Sequence, residues 1–128
     1  KGTQSAAKLC LEAFHHVVDQ IRPGVAARQV YQAWQNVVDR AGLGHYRRHH
    51  CGYMIGIGFP PSWVGGSKVV GLRPDSEWEL QAGMVFHLMS WLMDTGKPGD
   101  YFVSDTAVVT ETGCDLLTTV DQQLTIAA

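Results

Sequence analysis

The stretch LQAGMVFHLMSWLM, residues 80–93, carries the strongest fold signal in the chain. From Met84 to Met93 it is largely apolar on both faces, which is typical of a strand that is covered on both sides. Side chains alternate between the two faces of a strand, so His87, Met89 and Trp91 are predicted to share one face. The segment therefore predicts a buried strand that carries an imidazole on one of its faces.

Further short strands are predicted around this one, because short apolar runs broken by Gly and Pro are typical of strands and turns. The candidates are Tyr53 to Phe59, Phe102 to Thr110 and Cys114 to Thr118. Pro60-Pro61 is expected to end the pairing of the first, since neither proline has an amide proton to donate. Glu111-Thr112-Gly113 joins the last two, and its glycine is expected to supply the positive φ of a tight hairpin.

The first third of the chain predicts two amphipathic helices. Pro23-Gly24 stops the first pattern, and Gly42 and Gly44 end the second, where a left-handed cap is easiest to form. Val25 and Ala26 offer no side-chain oxygen to the second helix, so its start is expected to be about 1 kcal/mol less stable than one opened by Ser or Thr. The apolar residues at helical spacing are Ala6, Cys10, Ala13, Phe14, Val17 and Ile21, then Val30, Trp34, Val37, Val38 and Ala41.

Size and composition indicate a single domain. The 128 residues are 45% hydrophobic and 17% charged, with a formal net charge of -2, which gives no electrostatic reason to expect nucleic acid. No apolar run approaches the roughly 20 residues that span a bilayer, so no membrane partner is expected. Residues 1–44 are predicted to form the two helices, and residues 45–128 are predicted to be mostly β.

The number of cysteines and the residues at the N-terminus bear on the cellular compartment. Cys10, Cys51 and Cys114 are an odd and sparse set, unlike a disulfide scaffold, so a reducing cytoplasm is predicted. The first residues lack the pattern of a signal peptide. The chain starts at Lys1 rather than at Met, and we expect it to be a fragment or a processed product.

Two sets of polar residues are candidate metal ligands. His45, His49 and Cys51 lie in GHYRRHHC, residues 44–51, and offer zinc donors, but four ligands are usual and two adjacent arginines repel a cation. Asp94 and Asp105, in DTGKPGDYFVSD, have the spacing of an aspartate pair in dinuclear hydrolases. For the aspartates, the alternative explanation is chance or an internal pseudo-symmetry of the fold.

The succession of motifs resembles the second half of the creatinase, Xaa-Pro dipeptidase and aminopeptidase P catalytic domain, and is most similar to its ectoine-hydrolase-like and creatinase-like branch. The resemblance covers nearly the whole chain, and the order of the motifs is more specific than any one of them. The motifs are Arg22-Pro23-Gly24, HHCGYMIG at residues 49–56, LQAGMVF at residues 80–86 and VTETGCDLLT at residues 109–118.

The resemblance implies an α+β pita-bread fold, in which helices cover a curved, mostly antiparallel sheet and the concave face forms the cleft. Residues 1–128 would then be one partial catalytic domain, the C-terminal part, with an N-terminal domain or upstream segment of the same protein as its partner. The resemblance also implies a homodimer, which the apolar Trp63 and Trp78 in a loop region would support.

Several site positions depart from the family pattern. His49 matches the first His of the H-x-x-G-H motif, whereas Tyr53 stands where relatives carry a metal-ligating His. Met89 stands where a ligating Glu is expected, and Ser104 matches the final bridging Glu, with Asp105 beside it as a substitute if the register slips by one. Thioether and phenol groups are poor ligands for a two-metal site, so neither a metal nor another cofactor is expected.

The resemblance then implies a metal-free C–N bond hydrolase that acts on a small-molecule amide, amidine or dipeptide-like substrate. His49, His87 and Asp105 are the predicted catalytic residues, with Tyr53 and Trp91 as predicted substrate-binding residues. The alternatives are a metal-dependent Xaa-Pro dipeptidase in the complete protein and an inactive pita-bread binding module. The roles of His45, His50 and Cys51 stay open.

Overall fold

The computed structural model describes residues 2–56, 64 and 69–123, and these form two helices and four strands. The helices are α1, Gly2–Gln20, and α2, Ala27–Arg40; the strands are β1, Gly52–Met54, β2, Val85–Leu92, β3, Tyr101–Val109, and β4, Cys114–Leu116. The predicted α+β class is confirmed. β1 begins one residue earlier than predicted and already ends at Met54, so residues 55–56 are not part of the strand. Residues 57–59 of the predicted range and Pro60-Pro61 lie outside the described residues.

The described strands pair antiparallel in chain order, β1-β2-β3-β4. The longest pairing joins β2 to β3, from Val85 opposite Val108 to Leu92 opposite Tyr101. This long pairing sets which side chains share a face, because a shift by one residue would move every side chain to the other side.

One face of the sheet packs on the helices and forms the core. Phe86, Leu88 and Leu92 of β2 are fully buried there, against Phe14 of α1 and Trp34 of α2. Burying a large apolar side chain contributes about 1.5–3 kcal/mol. The core therefore holds α1 and α2 on one side of the sheet. The opposite face, which carries Tyr53 and His87, is called the cleft face below, after the cleft that the family resemblance predicts there.

The start of α2 is better satisfied than its sequence predicted. Ala26 supplies no side-chain cap, as expected, but the amides of Ala27 and Arg28 donate to the carbonyls of Trp78 and Ser76 at 2.9 and 3.1 Å. The Ala26 amide donates to Oε1 of Gln29 at 3.1 Å. The missing side-chain cap is confirmed, and carbonyls from a distant loop, which the sequence did not predict, accept from these amides in its place.

Two glycine predictions had different outcomes. Gly42 has a φ of 79° just after α2, which confirms the left-handed cap. Gly113 does not adopt a positive φ, so that prediction was wrong. Its amide donates to Oγ1 of Thr110 at 3.0 Å, and the Thr110 amide donates to the Gly113 carbonyl at 2.9 Å. A threonine side chain closes the hairpin without a left-handed residue.

Within the part of the chain that the structure describes, neither helix is long and apolar enough to cross a membrane.

Candidate functional site

The cleft face of the sheet brings Tyr53 and His87 together. Tyr53 on β1 lies opposite His87 on β2, which in turn lies opposite Thr106 on β3. Nδ1 of His87 is 2.9 Å from the Tyr53 hydroxyl, and the two rings meet edge to face with centroids 5.2 Å apart. Two residues predicted from separate motifs thus form one hydrogen-bonded pair.

His50 extends this pair toward solvent. Its ring lies edge-on to Tyr53 at a centroid distance of 5.7 Å, and edge-on to His49 at 4.4 Å. His49 is exposed, whereas His50 is half-buried. The predicted His49 therefore reaches Tyr53 only through His50, a residue to which sequence reasoning gave no role. The only available signal was its position in the polar run just before Gly52.

Both imidazoles within the cleft face have lowered pKa values. Burial, followed by the charges of His49, Arg48, Arg73 and His87, lowers the pKa of His50 from 6.5 to about 4. Burial also lowers the pKa of His87, and the negative charge of Asp105 opposes that shift. A neutral imidazole offers one donor and one acceptor, so both rings are suited to hydrogen bonding at neutral pH. The pKa of about 4 makes His50 a weak base, because proton transfer is most efficient when the pKa lies near the working pH.

Trp91 lies farther along the same face of β2. Its ring lies under the Arg48 guanidinium, with Cζ 4.7 Å from the ring centroid, and it meets Phe102 edge to face at 5.5 Å. It shares the face of His87, as predicted, but four strand residues separate them by about 13 Å. Trp91 therefore forms a separate cation–π platform at the far end of the cleft.

Asp105 belongs to the opposite face. It pairs with the core residue Leu88, while Ser104 lies opposite Met89 on the cleft side, so the register does not slip. Its carboxylate accepts hydrogen bonds from Thr118 Oγ1 at 2.6 Å and from the Thr106 amide at 2.7 Å, and the residue is 5% exposed. The structure does not bring Asp105 into the cleft with His87.

The proposed zinc ligands do not converge. His45 Nε2 lies 3.6 Å from the carboxylate of the exposed Asp94, whereas Cys51 is fully buried and burial raises the pKa of its thiol. Asp94 is exposed and Asp105 is buried beside Thr118, so the two aspartates do not form a pair either. Neither candidate set therefore forms a metal site among the described residues.

The donors on the cleft face do not fit a two-metal centre. Tyr53, Met89 and Ser104 present a phenol, a thioether and a hydroxyl, and the phenol is hydrogen-bonded to His87. Such centres rely on imidazole and bridging carboxylates. Across residues 2–56, 64 and 69–123, no group of three or more His, Cys, Asp or Glu side chains could hold a metal ion.

A family model described as metallopeptidase family M24 matches residues 2–111, most of the chain. The chain belongs to this family. It is 31% identical over 121 residues to the ectoine hydrolase of Halomonas elongata, a match that covers 93% of this chain and 29% of that protein. The resemblance inferred from the motifs is confirmed.

Solved structures of the family confirm the pita-bread fold. Dipeptidase PepE from Mycobacterium ulcerans superposes with a TM-score of 0.81 at 28% identity, over 96% of this chain and 31% of that one. The prolidase from Pyrococcus horikoshii superposes with a TM-score of 0.82 at 23% identity, over 97% and 33%, and this likeness bears on the fold alone. The chain spans about three tenths of the length of the curated relatives that it matches.

Proposed function

We propose that the complete protein hydrolyses the C–N bond of a small amide, amidine or dipeptide-like substrate without a metal pair. The observation that carries this proposal is the hydrogen-bonded pair of Tyr53 and His87, in which Tyr53 stands at the position where the family resemblance predicts a metal-ligating His. Similarity to an ectoine hydrolase and to dipeptidases supports hydrolysis as the reaction class.

The proposed chemistry needs a base for water and an acid for the leaving nitrogen. Water adds to the carbonyl or amidine carbon while the imidazole of His49 takes its proton. The bond to nitrogen then breaks, and the protonated imidazole returns this proton to the leaving nitrogen. His87 and Tyr53 hydrogen-bond the polarised substrate group. His49, exposed at the end of the ring series, exchanges protons with solvent, while Trp91 contacts an apolar part of the substrate.

A substrate panel tests this function on the complete protein. Small N-acyl amides, cyclic amidines and Xaa-Pro dipeptides are incubated with and without EDTA, and release of the nitrogen product is measured. We expect the turnover of the wild type to be unchanged by EDTA. We expect the turnover of His87→Asn to be at least 100-fold lower. His16→Asn, an exposed histidine on α1, is the matched control and leaves turnover unchanged.

The same assay addresses the two rival functions. Activity that EDTA abolishes and Mn²⁺ restores would favour a metal-dependent Xaa-Pro dipeptidase, a function class supported by membership of metallopeptidase family M24. A substrate that binds without turnover would favour an inactive binding module, to which the replaced ligand positions point.

We also propose a cytoplasmic homodimer. All three cysteines are free, in keeping with a reducing compartment. Trp78, one of the two tryptophans expected at an interface, stacks on Phe86 at 6.0 Å and so no longer supports a dimer, and Trp63 lies outside the described residues. Light scattering on the complete protein tests this, and a stable monomer at micromolar concentration would contradict it.

A further inference from the structure

The segment between α2 and β1 carries two histidines of the candidate site on irregular backbone. His49 and His50 lie in residues 45–50, which form neither a helix nor a strand. Backbone polar groups in such a segment gain no partners from a helix or a sheet ladder, so other groups have to supply their hydrogen bonds. The positions of the two imidazoles therefore depend on the groups that hold this backbone.

Two side chains of α2 hold the backbone just before His49. The Tyr31 hydroxyl lies 2.5 Å from the Arg48 carbonyl, to which it donates, and 3.1 Å from Oε1 of Gln35. Nε2 of Gln35 donates to the Tyr46 carbonyl at 3.1 Å. Both α2 side chains are 3% exposed. A pair of buried residues one helical turn apart thus binds alternate carbonyls of the segment.

The hydrogen-bonding groups of this pair are fully used. The second Nε2 proton of Gln35 goes to Oδ1 of Asp39 at 3.0 Å, and the same oxygen accepts from Arg47 Nη1 at 2.7 Å. Burial raises the pKa of Tyr31, so its hydroxyl keeps its proton and acts as a donor at neutral pH. Tyr31, Gln35 and Asp39 follow one another at intervals of four residues and form one polar row along α2.

The backbone just after His50 is held by a different part of the chain. The Cys51 amide, in the peptide bond that follows His50, donates to the Leu72 carbonyl at 3.1 Å. The Arg48 carbonyl belongs to the peptide bond that precedes His49 and is held by α2. Peptide bonds are planar, so the two histidines lie between two fixed units and can shift little unless one of these hydrogen bonds is lost.

A small shift of these histidines would matter for catalysis. The rings of His49 and His50 have centroids 4.4 Å apart, and those of His50 and Tyr53 are 5.7 Å apart. Proton transfer needs heavy atoms about 2.6–3.2 Å apart, and a misplacement of about 1 Å can lower turnover about 100-fold. A base on irregular backbone therefore needs groups that fix this backbone.

We propose that Tyr31 and Gln35 are positioning residues for the histidine pair at residues 49–50. By holding two carbonyls of the segment, they place the imidazole of His49 and keep His50 against Tyr53. Both are buried in α2, so they act through the histidines rather than on the substrate. This inference rests on the proposed function, because His49 is the base assigned there.

Chemical modification of the complete protein tests the inference without a substrate. Diethyl pyrocarbonate acylates neutral imidazoles, and tandem mass spectrometry gives the rate at each histidine. Tyr31→Phe removes only the hydroxyl, and Gln35→Met keeps the length of the side chain without its amide. Each variant is expected to raise the rate at the half-buried His50 about 5-fold or more, because loss of a hydrogen bond favours local opening. The rate at His16, exposed on α1, is expected to stay unchanged.

Turnover distinguishes positioning from a general loss of stability. With the substrate panel, Tyr31→Phe and Gln35→Met are expected to lower kcat about 10- to 100-fold and to leave KM nearly unchanged. Ser90→Ala is the matched control, since it removes a fully buried hydroxyl whose hydrogen bonds, in the described part of the chain, go to Cys10 and Trp34. This control should leave kcat and the His50 rate unchanged, and thermal unfolding shows which variants are folded.

The outcomes separate this inference from the proposed function. An unchanged His50 rate in the folded variants, a rise that Ser90→Ala shares, or a rise with unchanged kcat would each overturn the inference. A rise at His50 without turnover of any panel substrate by the wild type would support the placement of the histidines and contradict the hydrolase. Each variant is judged by itself, so Gln35→Met decides the question if Tyr31→Phe does not fold.

Discussion

Asp105→Ala is expected to destabilise the fold while leaving catalysis intact. The carboxylate is 5% exposed and accepts two short hydrogen bonds, from Thr118 Oγ1 at 2.6 Å and from the Thr106 amide at 2.7 Å. Gln122 Nε2 adds a longer one at 3.3 Å. A hydrogen bond to a charged group contributes about 1.5–3 kcal/mol, so losing the two short ones should lower the free energy of unfolding by about 3–6 kcal/mol.

Urea denaturation followed by tryptophan fluorescence measures this change, and turnover is compared per folded molecule. Thr118→Val removes one of the two short bonds and should destabilise by about half as much. Asp94→Ala is the matched control, because its carboxylate is exposed and meets only His45 at 3.6 Å, so its effect should stay within about 0.5 kcal/mol.

A loss of turnover above 100-fold in folded Asp105→Ala, with stability unchanged, would refute this reasoning. It would return Asp105 to the catalytic role predicted from sequence. It would also require that the helix-side placement of its carboxylate does not hold in the complete protein.

Three more outcomes are expected. Tyr53→Phe removes the hydroxyl that meets His87 Nδ1 at 2.9 Å and should lower turnover about 10- to 100-fold with little change in thermal unfolding; unchanged turnover would exclude the hydroxyl from the mechanism. His49→Ala in the complete protein should lower turnover by about two to four orders of magnitude with the fold intact, and a matching loss of thermal stability would instead indicate a structural role. Because the pKa of His50 is about 4 when folded and near 6.5 when unfolded, the unfolded chain binds more protons between these values. The free energy of unfolding, measured by urea titration at several pH values, should therefore fall as pH drops from 6.5 toward 4, and His50→Asn should reduce that slope.

The helices and strands followed from local signals, with instructive exceptions. Apolar spacing predicted α1 and α2, and the long apolar run predicted β2. The capping of α2 was not predicted, because its capping carbonyls come from Ser76 and Trp78, about 50 residues away in the chain. The hairpin glycine was misjudged because a side-chain hydrogen bond from the Gly113 amide to Thr110 made a positive φ unnecessary.

The site was predictable only where a local pattern along the chain defines it. Alternation along one strand placed His87, Met89 and Trp91 on one face without reference to any other element. Position in a motif drew attention to Tyr53 but could not show that its hydroxyl meets His87, since 34 residues separate the two.

The sequence by itself determined most of the elements and the shared face of His87 and Trp91, because spacing along one chain segment is sufficient to establish them. The order of its motifs along the chain indicated the family. Only the tertiary structure decided that Asp105 turns to the helices and that His50 links His49 to Tyr53. These depend on the register between strands and on contacts between distant segments. Burial of the whole core sets such contacts, so they cannot be predicted from the pattern of residues in any one segment.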